Sequence, residues 1–359
     1  IRESPRGVLP MKVLIFPFLL LALVHAAAES APSTFKLGGD LNQAMADETF
    51  RQVTSVLVSI DGEKVYEAYW GEGSATQLND TRSAMKTLVA MAVGAAIDDG
   101  SLEGVESTAM KWFETDMPTR FPSRLKNEIT VRDLLTMSSA LDCNDNVWES
   151  PGNEEHMYPA RRWTYFVLDL PTRKDYRRDE AGLGEFAYCT AGSFLLGQLL
   201  ERATGKGVDR YLAERLFEPL SITEVNWDRS PSGEIMTGGG TELNSRDLLK
   251  LGEMLLNGGS HDGEQVLSEA WVKEMMTAHR QPGEDRRYGY QIWAEPFTCG
   301  DRQLYGWYMS GNGGNKVAVF AELDLVVVVT ATLYGTRGMH QQSADIINDY
   351  VLPGVKGCG

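Results

Sequence analysis

The chain has 359 residues, 43% hydrophobic and 23% charged, with a formal net charge of −16. That is ordinary globular material with ample core, enough for one large domain or two. The acidic balance argues against a surface for nucleic acid or anionic membranes and favours neutral or cationic partners. Four cysteines (Cys143, Cys189, Cys299, Cys358) are too few and too scattered for a disulfide scaffold. In an exporting context they allow one or two bridges. With no Cys-x-x-Cys or His-x-x-x-His spacing, neither a metal nor a cofactor is expected.

Residues 11–28 read as a targeting segment. Lys12 supplies the positive end, 13–24 an apolar run, and Ala26-Ala27-Ala28 a small-residue cleavage site. The run is too short to span a bilayer comfortably, so no integral membrane segment is expected after cleavage. Residues 1–10 read as upstream sequence. A mature N-terminus near Glu29, in the periplasm or outside the cell, is the expectation, and no cysteine follows closely enough to suggest a lipid anchor.

Residues 52–60 and 63–70 are β-rich and separated by Asp61-Gly62, the strongest short-range hairpin signal. A polar loop, 71–81, leads to a helix over 83–97 in which only Lys86, Thr87 and Gly94 are not apolar after Ser83. A helix apolar all round belongs inside a large core. From 100 to about 237 the chain reads mainly helical. Thr130 and Asp133 form a variant capping box, Trp163, Phe166, Val167 and Leu170 recur at helical spacing, and 191–203 is a further apolar helix ended by Gly205. After Gly238-Gly239-Gly240, Ser245 and Ser268 are predicted to cap two helices. Strands follow over 288–293, 303–308, 316–321 and 325–333, then a terminal helix over 340–350. The histidines outside the targeting segment (His156, His261, His279, His340) are isolated and read as solvated.

An N-terminal hairpin joined to C-terminal strands makes one antiparallel sheet, with the helical block inserted. The expected organisation is therefore α/β (α+β): residues 1–28 upstream and targeting, then one catalytic domain over 29–359. Its α/β part is 29–82 with 238–359, and its helical part is 83–237. A cleft between such parts is the default site.

Ser83 and Lys86 stand three residues apart in the first turn of the buried helix, on one face. Burial and the helix dipole both disfavour a charged lysine there, and a neutral amine beside a hydroxyl is a base beside a nucleophile. The spacing alone says little, because Ser-x-x-Lys also occurs at Ser33–Lys36 and Ser123–Lys126. Only Ser83 opens a long apolar helix. No Gly-x-Ser-x-Gly elbow and no phosphate loop is present.

Ser83-x-x-Lys86, EFAYCTAGSFLLGQLLERATG (185–205), LFEPLSI (216–222) and SGNGGNKVAVFAELDLVVVV (310–329) resemble the serine β-lactamase-related hydrolases. That family includes class C β-lactamases, D-alanyl-D-alanine carboxypeptidases, esterases and aminohexanoate-oligomer hydrolases. The resemblance covers nearly all of 29–359 and implies a β-lactamase/transpeptidase-like fold and a serine hydrolase. Its first motif is Ser83 and Lys86. Its second, usually Tyr-x-Asn, falls at Tyr188-Cys189-Thr190, with Thr190 in place of Asn. Tyr308 and Tyr334 also fit a loose version of that pattern. Its third, usually Lys-Thr-Gly or His-Thr-Gly, falls at Met309-Ser310-Gly311, without the cation.

The resemblance implies that Ser83 attacks a carbonyl after Lys86, or Tyr188 as a phenolate held by Lys86, takes its proton. Tyr188 then protonates the leaving group. Backbone N–H groups of Ser83 and Asn312 would receive the oxyanion, with Thr190, Ser310 and Gly311 lining the substrate. Small esters, amides or lactams are the expected partners. Ester or amide hydrolysis leads, with class C-type β-lactamase or D-Ala-D-Ala carboxypeptidase as the alternative and a non-catalytic penicillin sensor as a further one. Cys143 and Cys189 both lie near Tyr188, and a bridge between them is the favoured pairing.

Overall fold

Val56, Leu57 and Val58 pair with Val329, Val328 and Val327 at the centre of the molecule, so the two ends of the chain meet in one sheet. The computed structural model describes residues 35–116 and 119–358; the targeting segment and Ser33 lie outside them. Seven strands form the large sheet. They are β1 (Val53–Ile60), β2 (Glu63–Tyr69), β3 (Arg287–Tyr288), β4 (Trp293–Cys299), β5 (Arg302–Gly311), β6 (Asn315–Phe320) and β7 (Leu325–Ala331). Their order is β2-β1-β7-β6-β5-β4-β3, antiparallel throughout. The hairpin expected at Asp61-Gly62 is present. Both residues have positive φ, 51° and 75°, which suits a two-residue turn whose twist matches the flanking strands.

Alternation along the strands divides the core. Val326 and Val328 face one apolar cluster and Val327 and Val329 the other, which explains the unbroken valine run of β7. The first cluster contains α1 (Met85–Asp98), α2 (Thr190–Thr204) and α3 (Ser245–Leu256), together with the residues around them. The second holds Ile346, Ile347 and Val351 near the C-terminus. Every α1 residue from Met85 to Ala96 is buried.

Several sequence expectations change. The 100–237 block contains one long helix, the 15-residue α2; the other α-helices there are four to six residues long. The Asp-, Asn-, Pro- and Gly-rich stretches between them break each run early. The single strand expected over 288–293 is two strands separated by a turn. At its centre Gln291 has φ 54° and lies buried. Its amide nitrogen donates to Leu134 O and Leu135 O, and its amide oxygen accepts from Ser193. Asn244, not Ser245, caps α3, accepting from Asp247 N–H at 2.9 Å. Ser245 Oγ instead lies 2.6 Å from Ser55 Oγ inside the fold. His279 is not solvated: its ring stacks on Tyr290 with centroids 4.2 Å apart.

Both cysteine pairs are disulfides, Cys143–Cys189 as favoured and Cys299–Cys358 in addition.

Candidate active site

Asn79 and Asp80 pair with Leu243 and Glu242 in a small three-stranded sheet, and Thr81 continues the contact through bonds from its N–H and hydroxyl to Thr241 O. The chain then reverses at Arg82, whose φ is +50°. A side chain in the left-handed region costs about 1–2 kcal/mol. Asp80 offsets this, accepting from Arg82 N–H at 2.9 Å and from its Nε at 2.8 Å. The turn delivers Ser83 to the start of α1.

Lys86 is 1% exposed. Its Nζ donates to Ser83 Oγ at 2.9 Å and to Gly238 O. It forms no ion pair among the described residues. The second Ser-x-x-Lys behaves differently. Lys126 is equally buried, but it donates to Leu168 O at 2.7 Å, while Ser123 Oγ lies 3.3 Å from Thr172 Oγ1. Burial of a lysine is thus common to both motifs, and contact with the serine belongs to Ser83 alone of the two.

The Tyr188 ring lies 5.0 Å from Lys86 Nζ and 5.8 Å from the Trp293 ring. The rival tyrosines are elsewhere. Tyr308 is buried against Phe297 on the far face of the sheet, and Tyr334 stacks under the Arg82 guanidinium.

On the other side of Ser83, the β5–β6 turn approaches. A β-carbon on Gly311 would stand 2.0 Å from Thr81 O, so only glycine fits. Asn312 lines the cleft with Ser83. Its side-chain oxygen accepts from Gly335 N–H at 2.8 Å. Asn315, which the sequence reading passed over, fixes this turn. Its amide nitrogen donates to Asp80 O at 3.1 Å and Asn312 O at 2.9 Å.

Thr190, Ser310 and Gly311 are the residues expected to line the substrate. Thr190 is fully buried with its methyl group toward Gly238. None of the three lines the cleft before Ser83, and neither do Lys86 and Tyr188. Ser310 pairs with Lys316 across the β5–β6 ladder. Met309 is buried in the cluster that contains α1. Lys316 does not replace the missing cation, because it sits on the opposite face from Met309, bound to Glu295 at 2.7 Å.

The cleft before Ser83 has a volume of about 630 Å³ and is lined by Asp80, Glu154, Glu155, Asp228 and Glu242 against one cation, Arg82. Arg82 is already paired with Asp80, and none of the other four carboxylates forms an ion pair among the described residues. Burial pushes the Asp80 carboxyl up, and Glu242 and Asp228 add to this against the pull of Arg82. Among the described residues no cluster of three metal-ligating side chains occurs. The sequence reading missed these wall residues, which come from four separate segments. The Gly238-Gly239-Gly240 run was the only local signal, and all three glycines line the cleft.

A family model described as Beta-lactamase matches residues 41–351. The chain belongs to the β-lactamase family. It is 26% identical over 250 residues to the 6-aminohexanoate-dimer hydrolase of Paenarthrobacter ureafaciens, a match covering 66% of this chain but only 59% of that relative. Among solved structures, a Bacillus anthracis protein provisionally assigned as a 6-aminohexanoate-dimer hydrolase superposes with a TM-score of 0.71. It is 15% identical, covering 87% of this chain and 81% of the other. EstCE1, a hydrolase with promiscuous acyltransferase activity, gives 0.68 at 16% identity, over 86% and 96%. At such identities the superpositions speak for the fold, and the β-lactamase/transpeptidase-like architecture expected from the motifs is the one observed.

Proposed function

We propose that this β-lactamase-family protein is an exported serine hydrolase that cleaves carboxylic esters or small amides through an acyl-enzyme. The observation that carries the reading is the 2.9 Å hydrogen bond from buried Lys86 to Ser83 Oγ at the floor of the cleft. Lys86 is the side chain in direct contact with the hydroxyl, which favours it over Tyr188 as the acylation base. As the proton leaves Ser83, its Oγ bonds to the substrate carbonyl carbon. The bond to the leaving group breaks, and Tyr188 supplies the leaving group with a proton. Backbone N–H groups of Ser83 and Asn312 receive the oxyanion, an interaction whose loss typically costs about 10²–10³ in rate. Water then attacks the acyl carbon, the bond from that carbon to Ser83 Oγ breaks to release the acid, and the water's proton passes by way of Lys86 and Tyr188 to Ser83 Oγ.

Esters and uncharged amides are favoured over β-lactams because Met309 offers no cation for a lactam carboxylate and Thr190 is withdrawn from the cleft. The names of the relatives, an amide hydrolase and an acyltransferring hydrolase, are compatible with either bond. The acidic walls favour neutral or cationic substrates. Export is supported by the targeting segment and by two disulfides, which suit an oxidising compartment.

Intact-protein mass spectrometry after a fluorophosphonate probe, with turnover of p-nitrophenyl butyrate, tests the reading. One probe adduct and sustained turnover are expected. Labelling without turnover would indicate a sensor instead, and no labelling of folded protein would overturn the mechanism.

A further inference from the structure

All three residues of the Tyr188-Cys189-Thr190 turn are tied to the segment 143–145, and Asp145 makes two of the ties. Its backbone N–H donates to Tyr188 O at 2.8 Å. Its Oδ2 accepts from Thr190 N–H at 2.7 Å. Between these bonds the Cys143–Cys189 disulfide closes the same contact covalently. The other carboxylate oxygen, Oδ1, accepts from Glu154 N–H at 3.0 Å, and Asp145 O accepts from Asn153 Nδ2 at 3.1 Å. Thr190 is the first residue of α2, so the carboxylate stands at the positive end of a 15-residue helix. The Thr190 side chain also bears on this carboxylate, and both it and the backbone bond act to lower the Asp145 pKa. What fixes this residue is Asp145.

We propose that Asp145 is the positioning residue for Tyr188, holding its ring beside Lys86 so that the phenol can protonate the leaving group. The inference rests on the serine-hydrolase reading above. Asp145 touches no reacting atom and acts through the Tyr188 turn. Burial, then Glu154, pushes its carboxyl up to about 6, against the opposing charge of Lys86, which places Asp145 within the electrostatic reach of the catalytic lysine.

The role has a chemical signature. When Ser83 Oγ bonds to the carbonyl carbon of an ester, or to the phosphorus of the probe, and the bond to the leaving group breaks, p-nitrophenolate and fluoride depart without a proton. Ethoxide must take one from Tyr188. A misplaced Tyr188 is therefore felt in proportion to the basicity of the leaving group, whereas a general loosening of the fold lowers every reaction alike.

The experiment compares wild type, Asp145→Asn and Tyr188→Phe in fluorophosphonate labelling rate and in kcat/KM for p-nitrophenyl butyrate and ethyl butyrate. For Asp145→Asn, labelling within about threefold of wild type and a fall of about a hundredfold on ethyl butyrate are expected, with p-nitrophenyl butyrate much less affected. Adding Asp145→Asn to Tyr188→Phe should cost little more than Tyr188→Phe alone. An equal fall on both esters, no fall at all, or additive losses would overturn the proposal. Should Asp145→Asn not fold, Asp145→Glu displaces the same carboxylate by one methylene and reads the same ester ratio. Wild-type protein that is not labelled would instead defeat the hydrolase reading, and this outcome is separate from any effect of Asp145.

Discussion

Gly311 meets the Thr81 carbonyl so closely that the end of strand β5 and the turn carrying the nucleophile are one mechanical unit. A methyl group on Gly311 must separate them. Gly311→Ala is expected to lower kcat/KM for p-nitrophenyl butyrate by about a hundredfold or more, the scale of losing one aligned oxyanion donor. Circular dichroism should show the mutant folded. A rate within threefold of wild type would mean that the turn yields without disturbing Ser83.

The two buried lysines provide the sharpest control on the nucleophile. Ser83→Ala should lose all covalent labelling and nearly all turnover. Ser123→Ala should keep both, since Ser123 makes no contact with its own lysine. Labelling that persists in folded Ser83→Ala would remove the basis for the mechanism.

Cleft charge gives a prediction about substrates. Matched p-nitrophenyl esters whose acyl chains end in methyl, trimethylammonium or carboxylate should differ in kcat/KM. The carboxylate should be slowest, by about tenfold or more against the cation, and added salt should narrow the gap. Nitrocefin, an anion, should be poorer than p-nitrophenyl butyrate on the same preparation. If nitrocefin equals or exceeds the ester, another residue supplies the cation that Met309 lacks and the β-lactamase alternative leads.

Lys316 and Glu295 form an ion pair in which the lysine is 2% exposed. Burial raises the Glu295 carboxyl, but the Lys316 charge and hydrogen bond outweigh it and hold the carboxyl below its usual range. The unfolded chain therefore binds this proton more readily. The pair's stabilisation is present above the ordinary glutamate value and is lost as pH falls through the lower folded value. Lys316→Met, which leaves the carboxylate only Arg286 at 3.9 Å and the Tyr308 hydroxyl, should lower stability in urea unfolding at pH 7, by less than the roughly 3–5 kcal/mol of a fully unpartnered buried charge. The cost should shrink in acid. Equal stability of mutant and wild type at pH 7 would show the pair to be dispensable.

Most of the sheet could be read from the chain because its signals are local. Asp61-Gly62 marks one turn, and the valines of β7 mark a strand with no wet face. Ser83 and Lys86 were singled out by their place at the start of a buried helix together with the family resemblance, because the spacing itself occurs three times in the chain. Tyr188 was assigned by the resemblance of Tyr188-Cys189-Thr190 to the family's second motif. Asp145 was not, because the groups it holds are backbone atoms of Glu154, Tyr188 and Thr190, and backbone atoms leave no mark on sequence. Gln291 escaped because Tyr288, Tyr290, Ile292 and Trp293 around it have strand-like composition, which hid the left-handed turn. Thr190 was assigned to substrate by its place in a motif, while its burial depends on Gly238, 48 positions later.

The central pairing of β1 with β7 has a consequence for how the protein comes into being. Residue 53 lies opposite residue 331, so the middle of the sheet cannot close until nearly all of the chain is available. Gly311, which abuts the serine turn, is equally late. Contacts of such separation form slowly, after a large loss of chain entropy. A growing chain that has already released Ser83 and Lys86 holds no assembled nucleophile, and activity begins only when the last strands arrive. While the chain is incomplete, hydrolysis is thereby limited by the order of synthesis itself, without an inhibitor.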